Sequence, residues 1–106
     1  MRIGIDIVSI ERFAPLLPSE YPRWKKIFSE AEWRRAFQDK NAAAHLAALF
    51  AAKEAAMKAE GLIGPFGYRA FEISHDDSGA PHLNRVGASI SITHTHDIAA
   101  AVCIMV

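Results

Sequence analysis

Glu54 and Lys58 stand four residues apart in Phe50-Ala51-Ala52-Lys53-Glu54-Ala55-Ala56-Met57-Lys58-Ala59, so on a helix a carboxylate and an ammonium lie one turn apart on the same side. Surface helices carry such pairs as plain salt bridges. The chemical alternative needs a second hard oxygen ligand, and Asp6 offers one. Mg²⁺ commonly takes only one or two protein carboxylates when phosphates and waters complete its octahedron, which makes Asp6 and Glu54 candidate ligands. His94, beside Thr93 and Thr95, could donate to a phosphate or be an ordinary turn histidine. His94-Thr95-His96-Asp97 could also be a fragment of a zinc site, but it lacks a second ligand cluster. Neither Gly-x-Gly-x-x-Gly nor a P-loop occurs, so phosphate capture falls to side chains and turn amides.

The elements that must position these groups follow from periodicity. Arg2 to Val8 alternates, with Ile3, Ile5 and Ile7 on one face and Gly4, Asp6 and Val8 on the other, which predicts a strand carrying an acid. A short amphipathic helix is expected over Glu11 to Leu17, broken near Pro15 and Pro18, with another turn or two over Tyr21 to Phe28. Ser29 and Glu32 have capping-box spacing ahead of Trp33 and Phe37, predicting a helix over roughly 30–38. A long helix is expected from Ala42 to Glu60, capped by Asn41, stopped by Gly61 and followed by a connection to Gly67. Its length would be about 28 Å.

On that helix Leu46, Leu49, Phe50 and Met57 form one stripe, while Ala42, Ala44, Ala48, Ala51 and Ala55 occupy most of the opposite face. Both faces can pack closely, so Glu54 is expected beside packed structure. Lys53 falls within the stripe and either snorkels to water or contacts a phosphate. Downstream, Phe71 to His75 and Pro81 to Leu83 flank Asp76-Asp77-Ser78-Gly79 as a hairpin, and Ala88 to Thr93 and Ile98 to Val106 read as two more strands. The expected class is α+β, a small, mainly antiparallel sheet packed on a long central helix.

Composition limits the function. The chain has 106 residues, 51% of them apolar, about one domain's worth with a small core, so residues 1–106 are expected to form a single domain. Twelve basic residues balance twelve acidic ones, which leaves no global field to attract nucleic acid or an anionic membrane. The one cysteine, Cys103, lies in an apolar run and reads as a buried thiol in a reducing compartment. No signal-type segment or bilayer-length apolar run occurs, so a cytoplasmic location is expected.

Gly4-Ile5-Asp6-Ile7-Val8, Glu11-Arg12-Phe13, Phe50-Ala51-Ala52-Lys53-Glu54-Ala55 with Lys58-Ala59, and Ser91-Ile92-Thr93-His94-Thr95 before a closing apolar strand resemble holo-acyl carrier protein synthases. The order and spacing of these four motifs cover nearly the whole chain. The resemblance implies a 4′-phosphopantetheinyl transferase of lipid biosynthesis, moving 4′-phosphopantetheine from coenzyme A to a serine of an apo acyl carrier protein and releasing adenosine 3′,5′-bisphosphate. It further implies that Asp6 and Glu54 hold Mg²⁺ against the pyrophosphate. Lys58 would act on the phosphates, with His94, Thr95 and Lys53 as candidate coenzyme A contacts. Arg12 is implied to meet the carrier's acidic helix, or else it is simply solvated. The serine's proton passes either to a metal-bound water or to Glu54.

The short members of this family form trimers with sites between subunits, so Asp6 and His94 are expected to face Glu54 of another chain, and the helix's alanine side is expected to suit a subunit contact. Larger, monomeric relatives carry Asp-x-Glu on the first strand, whereas Asp6 is followed here by Ile7 and Val8. Two departures stand out. Leu49 replaces the arginine usual before Phe-Ala-Ala-Lys-Glu, and the stretch between the long helix and Phe71 is short. The alternative to an active transferase is a module of the same fold that binds carrier protein or coenzyme A without efficient transfer.

Overall fold

Alternation along the first strand decides which of its sides meets the long helix, and that contact organises the molecule. The structure, a computed structural model, describes residues 1–62 and 67–106. Strand β1 (Arg2–Ser9) leads into a 3-10 turn at Ile10–Phe13, then come helices α1 (Tyr21–Trp24), α2 (Glu30–Gln38) and α3 (Ala42–Glu60). Strands β2 (Ile73–His75), β3 (Pro81–Leu83), β4 (Ala88–His94) and β5 (Ile98–Met105) complete the described chain. The closing strand β5 lies in the centre of a three-stranded sheet of order β1-β5-β4, antiparallel to both neighbours, and β2 and β3 form a separate antiparallel pair.

The two longer helices start where their caps dictate. The Ser29 hydroxyl accepts from the Glu32 amide, and the Glu32 carboxylate accepts from the Ser29 amide. Asn41 Oδ1 accepts from the Ala44 amide at 3.1 Å. Gly61 ends α3 in the left-handed region at φ 80°, its N–H turned back to the last turn of the helix. By contrast, the helix expected over Glu11 to Leu17 shrinks to the 3-10 turn, because Pro15 has no N–H to continue a helical ladder. Over Tyr21 to Phe28 only α1 forms, and the amides of Ile27 and Phe28 both close back on the Trp24 carbonyl. The connection expected from Gly61 to Gly67 lies partly outside the described residues.

Helix α3 packs against β1 and β5 on one side and against α2 and the 3-10 turn on others. Ala44, Ala51 and Ala55 are buried by the chain's own strands and helices, so the alanine side is not a free subunit surface. The free apolar surface lies instead on the outer face of the sheet, where Ile3, Ile5 and Ile7 are 59%, 67% and 62% exposed. Cys103 is fully buried opposite Gly4, and burial raises its thiol above the ordinary range.

Candidate active site

Gly4 brings the site together. A Cβ at this position would stand 1.8 Å from the Ala55 carbonyl oxygen, so the β1 backbone can touch the α3 backbone only because no side chain intervenes. Alanines 51, 52, 55, 56 and 59 provide the matching flat helix surface, each almost fully buried. Asp6, two residues beyond Gly4 on the same strand face, then falls within reach of the last turns of α3. Lys58 Nζ donates to Asp6 Oδ1 at 3.1 Å and to the Ile5 carbonyl at 3.0 Å. The Asp6 side chain is only 16% exposed, which strengthens its interaction with that ammonium relative to a pair in open water.

Glu54, one turn before Lys58, accepts a hydrogen bond from the Tyr68 hydroxyl at 2.5 Å. The Tyr68 ring stacks on Phe50, with centroids 5.3 Å apart and planes 20° from parallel. The Arg12 guanidinium lies 5.0 Å from the same Phe50 ring and 5.6 Å from Phe13, so Arg12 is stacked as well as solvated. Burial, the bond to Glu54 and the negative charges of Glu54 and Asp6 push the Tyr68 hydroxyl up to about 12, with Arg12 opposing them. One phenol thus feels both carboxylates.

Lys53 is neither snorkelled nor available to a phosphate. It is fully buried, and its ammonium donates to Glu32 Oε1 at 2.9 Å and to the carbonyls of Tyr68 and Phe71 at 3.0 and 2.6 Å, which uses all three of its protons. Burial pulls Lys53 below the usual lysine range, against the attraction of Glu32. The capping residue Glu32 has a double role, since its Oε2 also accepts from the Ile73 amide at 2.8 Å. This buried pair ties α2 and α3 to the segment that carries Tyr68.

His94 and Thr95 lie elsewhere. In the sheet register Asp6 pairs with Ala101 and Ala101 with Ile92, whereas His94 pairs with Ala99 and so with Val8. Asp6 and His94 share the helix-facing side but sit two strands and one row apart, about 10 Å across the sheet alone. His94 lines a cleft of about 280 Å³ together with Asn41, His45, Leu49, His75 and Ile92. Its Nδ1 is 3.1 Å from the Thr95 carbonyl. Thr95 Oγ1 accepts from the amides of Asp97 and Ile98, which leaves its hydroxyl proton free to donate. Leu49 is 1% exposed against this cleft, an apolar wall where the resemblance led one to expect arginine.

Asp6 and Lys58 therefore pair within one chain, with Glu54 one helical turn before Lys58, while His94 and Thr95 do not join them and Lys53 is occupied elsewhere. The alternation of β1 and the spacing on α3 signalled the first three. Nothing local signalled Tyr68, which follows a glycine-rich stretch and reaches Glu54 only through the fold. The donor set suits Mg²⁺. Asp6 and Glu54 each use one oxygen, toward Lys58 and Tyr68, and among the described residues the second oxygen of each has no hydrogen-bond partner. Among the described residues no three His, Cys, Asp or Glu side chains converge, so a metal here would rest on these two carboxylates and on oxygens of its substrate.

The chain is similar to known proteins over nearly its whole length. The family model described as the 4′-phosphopantetheinyl transferase superfamily matches residues 2–103. A holo-[acyl-carrier-protein] synthase of Maridesulfovibrio salexigens is 38% identical over 97% of this chain and 95% of its own length. The crystal structure of the Helicobacter pylori holo-[acyl-carrier-protein] synthase in complex with coenzyme A superposes with a TM-score of 0.80 at 30% identity, covering 96% of this chain and 97% of that one. The synthase from Bacillus anthracis, solved in complex with coenzyme A (3′,5′-ADP), gives a TM-score of 0.79 at 31% identity over 96% of this chain and 92% of that one.

Proposed function

The chain belongs to the 4′-phosphopantetheinyl transferase superfamily, and on that footing we propose that it is a holo-acyl carrier protein synthase, a single domain acting on coenzyme A and an apo acyl carrier protein. The carrier's serine oxygen forms a bond to the phosphorus that bears pantetheine. The bridging P–O bond of the pyrophosphate breaks, and adenosine 3′,5′-bisphosphate leaves with the electron pair. The observation that carries the reading is the Asp6–Lys58 pair at the β1–α3 contact, with the Glu54 carboxylate one helical turn before Lys58.

Mg²⁺ held by Asp6 and Glu54 would supply counter-charge to the pyrophosphate and fix its orientation. Lys58, already at Asp6, needs only to swing its half-exposed ammonium to meet the negative charge that grows on the leaving phosphate. Glu54 would hold the metal through the oxygen that Tyr68 leaves free, and the serine proton would pass to a water beside that centre. Arg12, exposed beside this centre and oriented by Phe50, offers a fixed guanidinium to an acidic helix of the carrier.

The exposed isoleucine face of β1 supports a homotrimer, because an apolar strand face of this kind is stable in water when another copy covers it. In such an assembly a neighbour's His94 and Thr95 would supply the phosphate donors that one chain keeps apart from Asp6. Among the described residues no helix is long and apolar enough to cross a membrane.

Purified protein incubated with coenzyme A, Mg²⁺ and an apo carrier should release adenosine 3′,5′-bisphosphate, measured by ion-pair chromatography, and should do so only when the carrier is present. Coenzyme A that stays intact with several apo carriers, or that is cleaved equally well without one, would overturn the reading.

A further inference from the structure

The Glu54 carboxylate hangs on a flexible side chain, yet a metal ligand has to present a chosen oxygen at a chosen angle. The hydroxyl of Tyr68 does the choosing, since it binds Oε1 and leaves Oε2 without a partner among the described residues. Tyr68 is itself held at both ends. Its ring stacks on Phe50, and its carbonyl accepts from Lys53, whose ammonium is locked by Glu32. An unbroken series of contacts therefore runs from the buried pair Glu32–Lys53 through Tyr68 to Glu54.

We propose that Tyr68 is the positioning residue of this centre, fixing Glu54 Oε1 so that Oε2 is presented to the divalent cation, with the buried Lys53–Glu32 pair anchoring Tyr68. The inference rests on the transferase reading above and extends it to a residue that acts only through Glu54. Pre-orienting a ligand removes the need to freeze it on binding, so the effect belongs chiefly to metal affinity and to the chemical step, not to coenzyme A affinity.

The test uses Tyr68→Phe, which keeps the ring and its stack and removes only the donor. Mn²⁺ binding in the presence of coenzyme A, followed by loss of the free-ion electron paramagnetic resonance signal, is measured for the wild type, Tyr68→Phe, Glu54→Gln and the double variant, alongside Mg²⁺-dependent turnover. Tyr68→Phe should weaken Mn²⁺ about tenfold or more and raise the Mg²⁺ concentration for half-maximal rate. Its KM for coenzyme A at saturating Mg²⁺ and its thermal unfolding should stay close to wild type. In the Glu54→Gln background the same change should cost nothing further, because its route of action is gone. Unchanged Mn²⁺ affinity in folded Tyr68→Phe, or an equal loss with and without Glu54, overturns the positioning role while leaving the transferase reading in place. Wild-type protein that binds Mn²⁺ no better than Glu54→Gln overturns the metal site, and this inference with it.

Discussion

Lys58 touches Asp6 before any phosphate arrives, so its contribution to catalysis depends on exchanging one anion for another. Charge builds on the leaving phosphate mainly in the transition state, and Lys58→Ala should therefore lower kcat by more than it raises KM for coenzyme A. Steady-state kinetics with coenzyme A varied at a fixed carrier concentration decide the matter. A rise in KM alone would assign Lys58 to ground-state binding. Lys53, one turn earlier and one residue off, has a different fate. Replacing it by Met leaves the Glu32 carboxylate buried without its cation, which should destabilise the protein by about 3–5 kcal/mol. The double change Lys53→Met with Glu32→Met should recover much of that loss, and urea unfolding of the three proteins is the check. Periodicity placed Lys53 in the apolar stripe but could not foresee its partner. Glu32 advertises itself as a helix cap, and its second role appears only when α2 docks on α3.

At the scale of elements, the strand and helix that build the site were legible because each obeys a local rule. Alternation marked β1, and a capping asparagine and a terminating glycine bounded α3 at Ala42 and Glu60, where the structure has them. The capping box marked α2, and the turn at Asp76 marked the hairpin. Asp76 Oδ1 there accepts from Ser78 and from the Ala80 amide, and Oδ2 meets His82, which together hold its carboxyl well below the ordinary range. The stretch after β1 misled because its amphipathic pattern is real while Pro15 prevents the ladder that would express it. The closeness of β1 to α3 was also hidden, since one glycine in a strand does not say which backbone will approach it. Gly4→Ala forces a methyl group onto the Ala55 carbonyl, so the strand must lift off the helix and carry Asp6 away from Lys58. Both thermal stability and turnover should fall markedly. Wild-type melting behaviour with full activity in Gly4→Ala would show that the close approach does not position the site.

For the whole molecule, the outer isoleucine face is the feature that a single chain leaves unexplained. If three copies cover it, light scattering after gel filtration should give three times the chain mass, and Ile5→Lys, which places an ammonium on that face, should yield folded monomers with little activity. An active monomer at micromolar concentration would mean that one chain carries a complete site. The alanine pattern of α3 suggested a subunit contact there, but those alanines are spent within the chain. Sequence periodicity shows that a face is apolar and small, and only the fold shows which neighbour uses it.

The central claim is that the Asp6, Glu54 and Lys58 patch transfers phosphopantetheine, and the intact mass of the carrier protein reads it directly. An apo acyl carrier protein incubated with this protein, coenzyme A and Mg²⁺ should gain the mass of one phosphopantetheinyl group on its serine. The gain should vanish when a chelator is added and be abolished or reduced about a hundredfold or more in Asp6→Ala and Glu54→Gln, each still folded. A carrier that keeps its apo mass with wild-type protein, or gains the group equally with either variant, would contradict the claim.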